Sequence, residues 1–213
     1  MKFFKTLRKL IEARIWAQKH RELNREFNIV VDTCVLLAGE QRKILRYFKV
    51  WLPLAVWQEI RKQAKKIALG GEEDENKLSL EQKSPVSDSG SEKEKAAKIT
   101  APLMRKLVIK GKWIIFGSAG TGMVGRLMRI PISNLNTDCK TELDHLWRRR
   151  RKVLDWNQNL EELVGTSDLR VLATALQLRD ENIPNIILLT KDKTLTLVAK
   201  SYGVRVESEI AKL

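Results

Sequence analysis

An α/β sandwich built on a mainly parallel sheet is the fold this sequence predicts, and three observations carry it. Short aliphatic runs of strand character alternate with longer stretches of helical periodicity from residue 28 to residue 207. No internal repeat breaks that alternation. The 213 residues, 43% of them hydrophobic, suffice for one substantial core and favour a single domain with additions.

Taken in order, residues 3–26 set Phe4, Leu7, Ile11 and Ile15 at helical spacing among Lys5, Arg8, Lys9, Arg14 and Lys19, which predicts a basic amphipathic helix. Residues 1–27 are therefore read as a helical extension. A first strand follows over 28–32, then a short helix over 40–48 with Ile44, Leu45 and Phe48 inward. A second strand-like run covers 50–56, where Pro53 suits a strand start or edge, and a helix begins at Trp57. Between about 70 and 96 the composition turns to Glu, Asp, Ser, Lys and Gly, with eight acidic residues against four basic ones over 70–95. That reads as a disordered acidic insertion. Helix 97–109, strand 112–117 and a glycine-rich loop over 117–125 come next, then a helix over 142–160. Thr166 or Ser167 can cap a helix over 168–179, and strand 185–190, helix 193–201 and strand 204–206 complete the chain.

The formal net charge of +14 favours a polyanionic partner, nucleic acid above all. Cys34 and Cys139 are too few for a disulfide framework, and with only His20 and His145 beside them a structural zinc site is not expected. The chain is read as intracellular, with nucleus and cytoplasm undistinguished. No stretch approaches the roughly 20 apolar residues a membrane helix needs, and Glu12, Glu22 and Glu26 disfavour a transit peptide.

Four carboxylates stand at equivalent places. Asp32 ends the first strand, Glu59 falls in the first turn after the second, Asp168 opens a helix, and Asp192 follows the strand NIILLT. In a parallel sheet all four lie at the C-terminal strand edge, where open α/β sheets bind ligands. Each also has a plainer reading: an acid at a helix N-terminus or in a turn. Converging, they would repel one another unless protonated or neutralised by a cation. Hard oxygen donors select Mg²⁺ or Mn²⁺, one or two ions, and the matching chemistry is phosphodiester hydrolysis within a basic surface.

The stretches VVDTCVLL, LPLAVWQEIRK, SDLRVLATALQL and ILLTKDKTL, in that order, resemble the motifs of PIN-domain ribonucleases over residues 28–207. The resemblance implies a three-layer α/β/α domain over 28–213 and a metal-dependent endoribonuclease cutting single-stranded RNA to leave 5′-phosphate and 3′-hydroxyl ends. Asp32, Glu59, Asp168 and Asp192 match the family's acidic metal ligands, Thr190 matches its small hydroxyl residue two places before the last acid, and Thr33 is a second supporting hydroxyl. The wording around Glu59 and Asp168 is similar to eukaryotic nonsense-mediated-decay PIN nucleases rather than prokaryotic toxins. Two departures stand out: the first motif is DTC where the family commonly has DTN, and Leu169 replaces a further acid found in some relatives. The rival expectation is a catalytically silent PIN-like scaffold that binds RNA or assembles ribonucleoproteins.

Other signals compete. GTGMVG, with Gly120, Gly122 and Gly125, follows a strand as a dinucleotide fingerprint does, yet Pro131 arrives too soon for a crossover helix. It is read as a loop. Arg148, Arg149, Arg150, Arg151 and Lys152, with Lys191, are candidate RNA contacts, against the alternative of a solvated helix face. A protein partner is expected, if anywhere, at the N-terminal helix or the acidic insertion.

Overall fold

A computed structural model describes residues 27–38, 45, 48–68, 89–117 and 121–209. The N-terminal helix, most of the 40–48 helix and residues 69–88 of the insertion fall outside the described residues. Five parallel strands form one sheet: β1 (Asn28–Val31), β2 (Val50–Pro53), β3 (Trp113–Phe116), β4 (Ile186–Leu189) and β5 (Arg205–Glu207), in the order β3-β2-β1-β4-β5. Parallel strands covered on both faces read as near-continuous apolar runs rather than alternating, as IVV of β1 and IILL of β4 do, while the buried Asn28 at the start of β1 donates to the Pro184 carbonyl and accepts the Trp51 indole N–H. Chain direction along the sheet reverses at β1, between β2 on one side and β4 on the other.

Right-handed crossovers in the two directions put their helices on opposite faces. One layer holds α1 (Thr33–Leu37), α2 (Leu54–Ala68) and α3 (Ser89–Ile109), which pack on one another and on β2 and β3. The other holds α4 (Thr121–Met128), α5 (Thr137–Arg149), α6 (Leu160–Val164), α7 (Thr166–Asp180) and α8 (Lys193–Ser201). Here α7 lies against β1, β2 and β4 and is buried nearly all round, from Leu169 through Leu178. This is the expected α/β sandwich. Trp113 closes the β3 side of the core, fully buried, with its indole N–H donated to the Leu45 carbonyl at 3.3 Å.

Several boundaries differ from expectation for identifiable reasons. Helix α2 starts at Leu54, not Trp57, because Pro53 ends β2 instead of opening it; Pro53 pairs with Phe116 on one side, while the β1 pairing stops two residues earlier at Trp51. Helix α3 begins at Ser89, so residues 89–96 of the expected insertion are helical. Glu, Lys and Ala are strong helix formers, and Ala97 and Thr100 anchor that end in the core. The glycine-rich 121–125 is the start of α4, not a loop, since Val124 and Leu127 bury against α7 and outweigh the cost of Gly122 and Gly125. The 142–160 helix is instead α5, capped by Asn136 at the Cys139 N–H (2.8 Å), followed by a turn through Arg151 at φ 55° and then α6. Thr166 does not cap α7; its hydroxyl donates to Glu161 (2.6 Å), and Gly165, at φ 92° where other residues are strained, makes the turn between α6 and α7.

Among the described residues, no helix is long and apolar enough to cross a membrane.

Candidate functional site

The C-terminal ends of β1 and β4 lie side by side at the point where the sheet order reverses. Asp32 is the first residue beyond β1, and its backbone N–H continues the ladder to the Leu189 carbonyl at 3.1 Å. Its side chain is 5% exposed yet does not cap α1. Instead Oδ2 accepts two hydrogen bonds of 2.8 Å, from the Thr190 hydroxyl and from the Cys34 thiol. A buried carboxylate is tolerable on those terms.

Thr190, fully buried, does two jobs with one oxygen: it donates to Asp32 and accepts the Asp192 backbone N–H at 3.0 Å. Cys34 likewise donates to Asp32 and accepts the Lys191 N–H at 3.2 Å. Burial first, then the charge of Asp32 and the hydrogen bond to it, push the thiol up to about 12, so sulfur keeps its proton and stays a donor. The DTC departure therefore leaves Asp32 oriented: sulfur supplies a donor beside the carboxylate. Sequence reasoning missed this because a thiol is a weak donor by type and its partner is set by the tertiary fold.

Glu59 lies in the second turn of α2, since that helix starts earlier than expected. Both its oxygens are held, Oε2 by the Thr33 hydroxyl at 2.7 Å and Oε1 by the Gln63 amide at 3.2 Å. Gln63 was legible only as the residue four after Glu59 on one helix face. Asp192, whose plainer reading was an ordinary turn, is the cap of α8, with Oδ1 accepting the Leu195 N–H at 2.8 Å. Asp168 stands in the first turn of α7, partly buried.

These acids share one field. The Asp168 carboxyl is raised from 3.8 to about 7, by burial first and then by the charges of Asp32, Asp192 and Glu59 in that order. As the side chains lie, no group of three His, Cys, Asp or Glu residues among the described ones is close enough to hold a metal ion. The donor set of carboxylates and hydroxyls is nonetheless the one hard divalent cations take, and a repelling acidic group is what such an ion would relieve.

The basic run does not act as a unit. It straddles the end of α5, where cations suit the helix dipole. Arg148 pairs with Asp144 at 2.8 Å, Arg150 stacks over Trp147 at 5.3 Å, and Arg151 and Lys152 are exposed in the following turn. Arg149 and Lys191 face a common cleft. His145 is exposed, and His20 lies outside the described residues.

The chain has no match among curated proteins. A family model described as PIN domain matches residues 29–209, from β1 to just beyond β5. With most of its length covered, the chain belongs to the PIN-domain family.

Proposed function

We propose that this protein is a divalent-metal-dependent endoribonuclease that hydrolyses phosphodiester bonds of single-stranded RNA, with Asp32, Glu59, Asp168 and Asp192 as its catalytic, metal-holding acids. PIN domains are generally nucleases that act on RNA and typically use divalent metals. The observation that carries the finer reading is that the end of β1, α2, α7 and the start of α8 each deliver one acid to a shared field: after burial, the charges of Asp32, Asp192 and Glu59 are what raise the Asp168 carboxyl. The wording around Glu59 and Asp168 supports a place nearer the eukaryotic nonsense-mediated-decay type. An intracellular location follows from the same reading.

Bound Mg²⁺ or Mn²⁺, one or two ions, would supply a water of lowered pKa and neutralise charge at the attacked phosphate. The chain's own residues do the positioning. Thr190 and Cys34 fix the rotamer of Asp32, Thr33 and Gln63 fix Glu59, and the start of α8 fixes Asp192. Without an ion the Asp168 carboxyl is raised to about 7, and a divalent cation held by the four acids would favour its ionised form.

A fluorescent single-stranded RNA incubated with the protein and Mn²⁺ should be cut, and excess EDTA should stop the cutting. RNA binding without Mn²⁺-dependent cleavage would instead make the domain a scaffold. A matched single-stranded DNA measures discrimination between the two nucleic acids.

Cys34 gives a finer check. Cys34→Ser keeps a donor for Asp32 and an acceptor for Lys191, so activity should stay within a few-fold. Cys34→Ala removes a hydrogen bond to a charged group and should lower kcat by roughly 10- to 100-fold. Equal rates for the two variants would dismiss the thiol as a positioning group.

A further inference from the structure

A cleft of about 560 Å³ opens between α5 and α8 and includes Thr190 and Lys191 in its lining, so it adjoins the candidate site. Its walls are two helix faces. Glu142, His145, Leu146 and Arg149 come from α5, and Lys193, Thr196, Leu197 and Lys200 from α8, each set at i, i+3, i+4, i+7. The Asn136 N–H donates to the Ser201 hydroxyl at 3.1 Å, which puts the start of α5 beside the end of α8. The helices run antiparallel, and Arg149 is carried toward Lys191 and Lys193 at the end where Asp192 caps α8.

The lining therefore holds four cations, Arg149, Lys191, Lys193 and Lys200, against one acid, Glu142, over a floor of Leu146 and Leu197. His145 supplies the one aromatic ring of the lining, and no Phe, Tyr or Trp joins it, so the surface offers little stacking area for reading bases. Such a surface fits a sugar–phosphate backbone and takes its affinity from charge.

We propose that this cleft is the path by which a single strand of RNA reaches the acids; the inference rests on the reading of RNA as substrate. It makes members of the arginine run unequal: Arg149 contacts the strand, while Arg148 and Arg150 are engaged with Asp144 and Trp147. Another cleft, of about 770 Å³ between α2 and α3, is also basic through Arg61, Arg105, Lys106 and Lys110; neither lining includes one of the four acids themselves, but only the α5–α8 cleft includes Thr190, which bonds both Asp32 and the Asp192 N–H.

The test is the affinity of a short labelled single-stranded RNA, measured by anisotropy in EDTA across a salt series, for three double variants of exposed residues. R149A/K200A should weaken binding roughly tenfold or more and reduce the log–log salt slope by about 1.4, at about 0.7 per lost phosphate contact. R148A/R150A and R105A/K106A should leave the slope unchanged. Circular dichroism spectra confirm that each variant is folded. An unchanged slope for R149A/K200A, an equal loss in either control pair, or a wild type that binds no RNA overturns the path. Wild-type cleavage in Mn²⁺ is scored separately: cleavage with unaltered R149A/K200A binding sinks the path alone, whereas loss of binding without cleavage sinks the nuclease and keeps the path.

Discussion

Asp32→Asn is expected to lower Mn²⁺-dependent RNA cleavage by about 10³-fold or more, which is about 4 kcal/mol of transition-state stabilisation, with the fold intact. The amide matches the carboxylate in shape and its oxygen can still accept from Thr190, so the end of β1 keeps its anchor to the end of β4. What is lost is charge at the most enclosed of the four acids, where a hard cation depends on it. The measurement is single-turnover cleavage beside a circular dichroism spectrum and thermal melt of the same preparation. A folded variant cutting within tenfold of wild type would remove Asp32 from the proposed machinery.

Asp168→Asn should separate stability from function. The folded-state carboxyl titrates near 7 and the ordinary value is 3.8, so the group's contribution to stability is complete below about 4 and is lost as pH rises through about 7. Metal-free wild type should therefore lose more melting temperature between pH 5.5 and pH 8 than the variant does, by on the order of 5 °C for a domain of this size. At pH 8 the variant should be the more stable of the two. Added Mn²⁺ should reverse that order, since the ion stabilises by mass action only the protein that binds it well. Parallel pH profiles for the two proteins would contradict the shared field of the acids.

What was legible in the sequence follows from the physics of each segment. Strands buried on both faces must be apolar runs, so β1, β3 and β4 stood out, and α8 fell over the expected residues 193–201, although its cap at Asp192 was not foreseen. The four acids could be placed at one sheet edge because parallel topology dictates where strands end. Their partners could not: the bonds from Thr190 and Cys34 to Asp32, and from Thr33 to Glu59, join residues that only the folded chain brings together. Helix α4 was hidden because local propensity condemns glycine while packing against α7 rescues it. The arginine run looked uniform because charge in a sequence carries no direction, and the end of α5 splits it.

The Thr190 hydroxyl owns a single hydrogen. Because an ionised Asp32 carboxylate can only accept and the Asp192 N–H can only donate, that hydrogen is the one shared with Asp32. One bond thus sets the polarity of a chain of contacts running from the entry of α8 to the end of β1. Cys34, between Asp32 and the Lys191 N–H, ties the same two segments a second time, so a motion that swings Asp32 away also disturbs the backbone that carries Asp192.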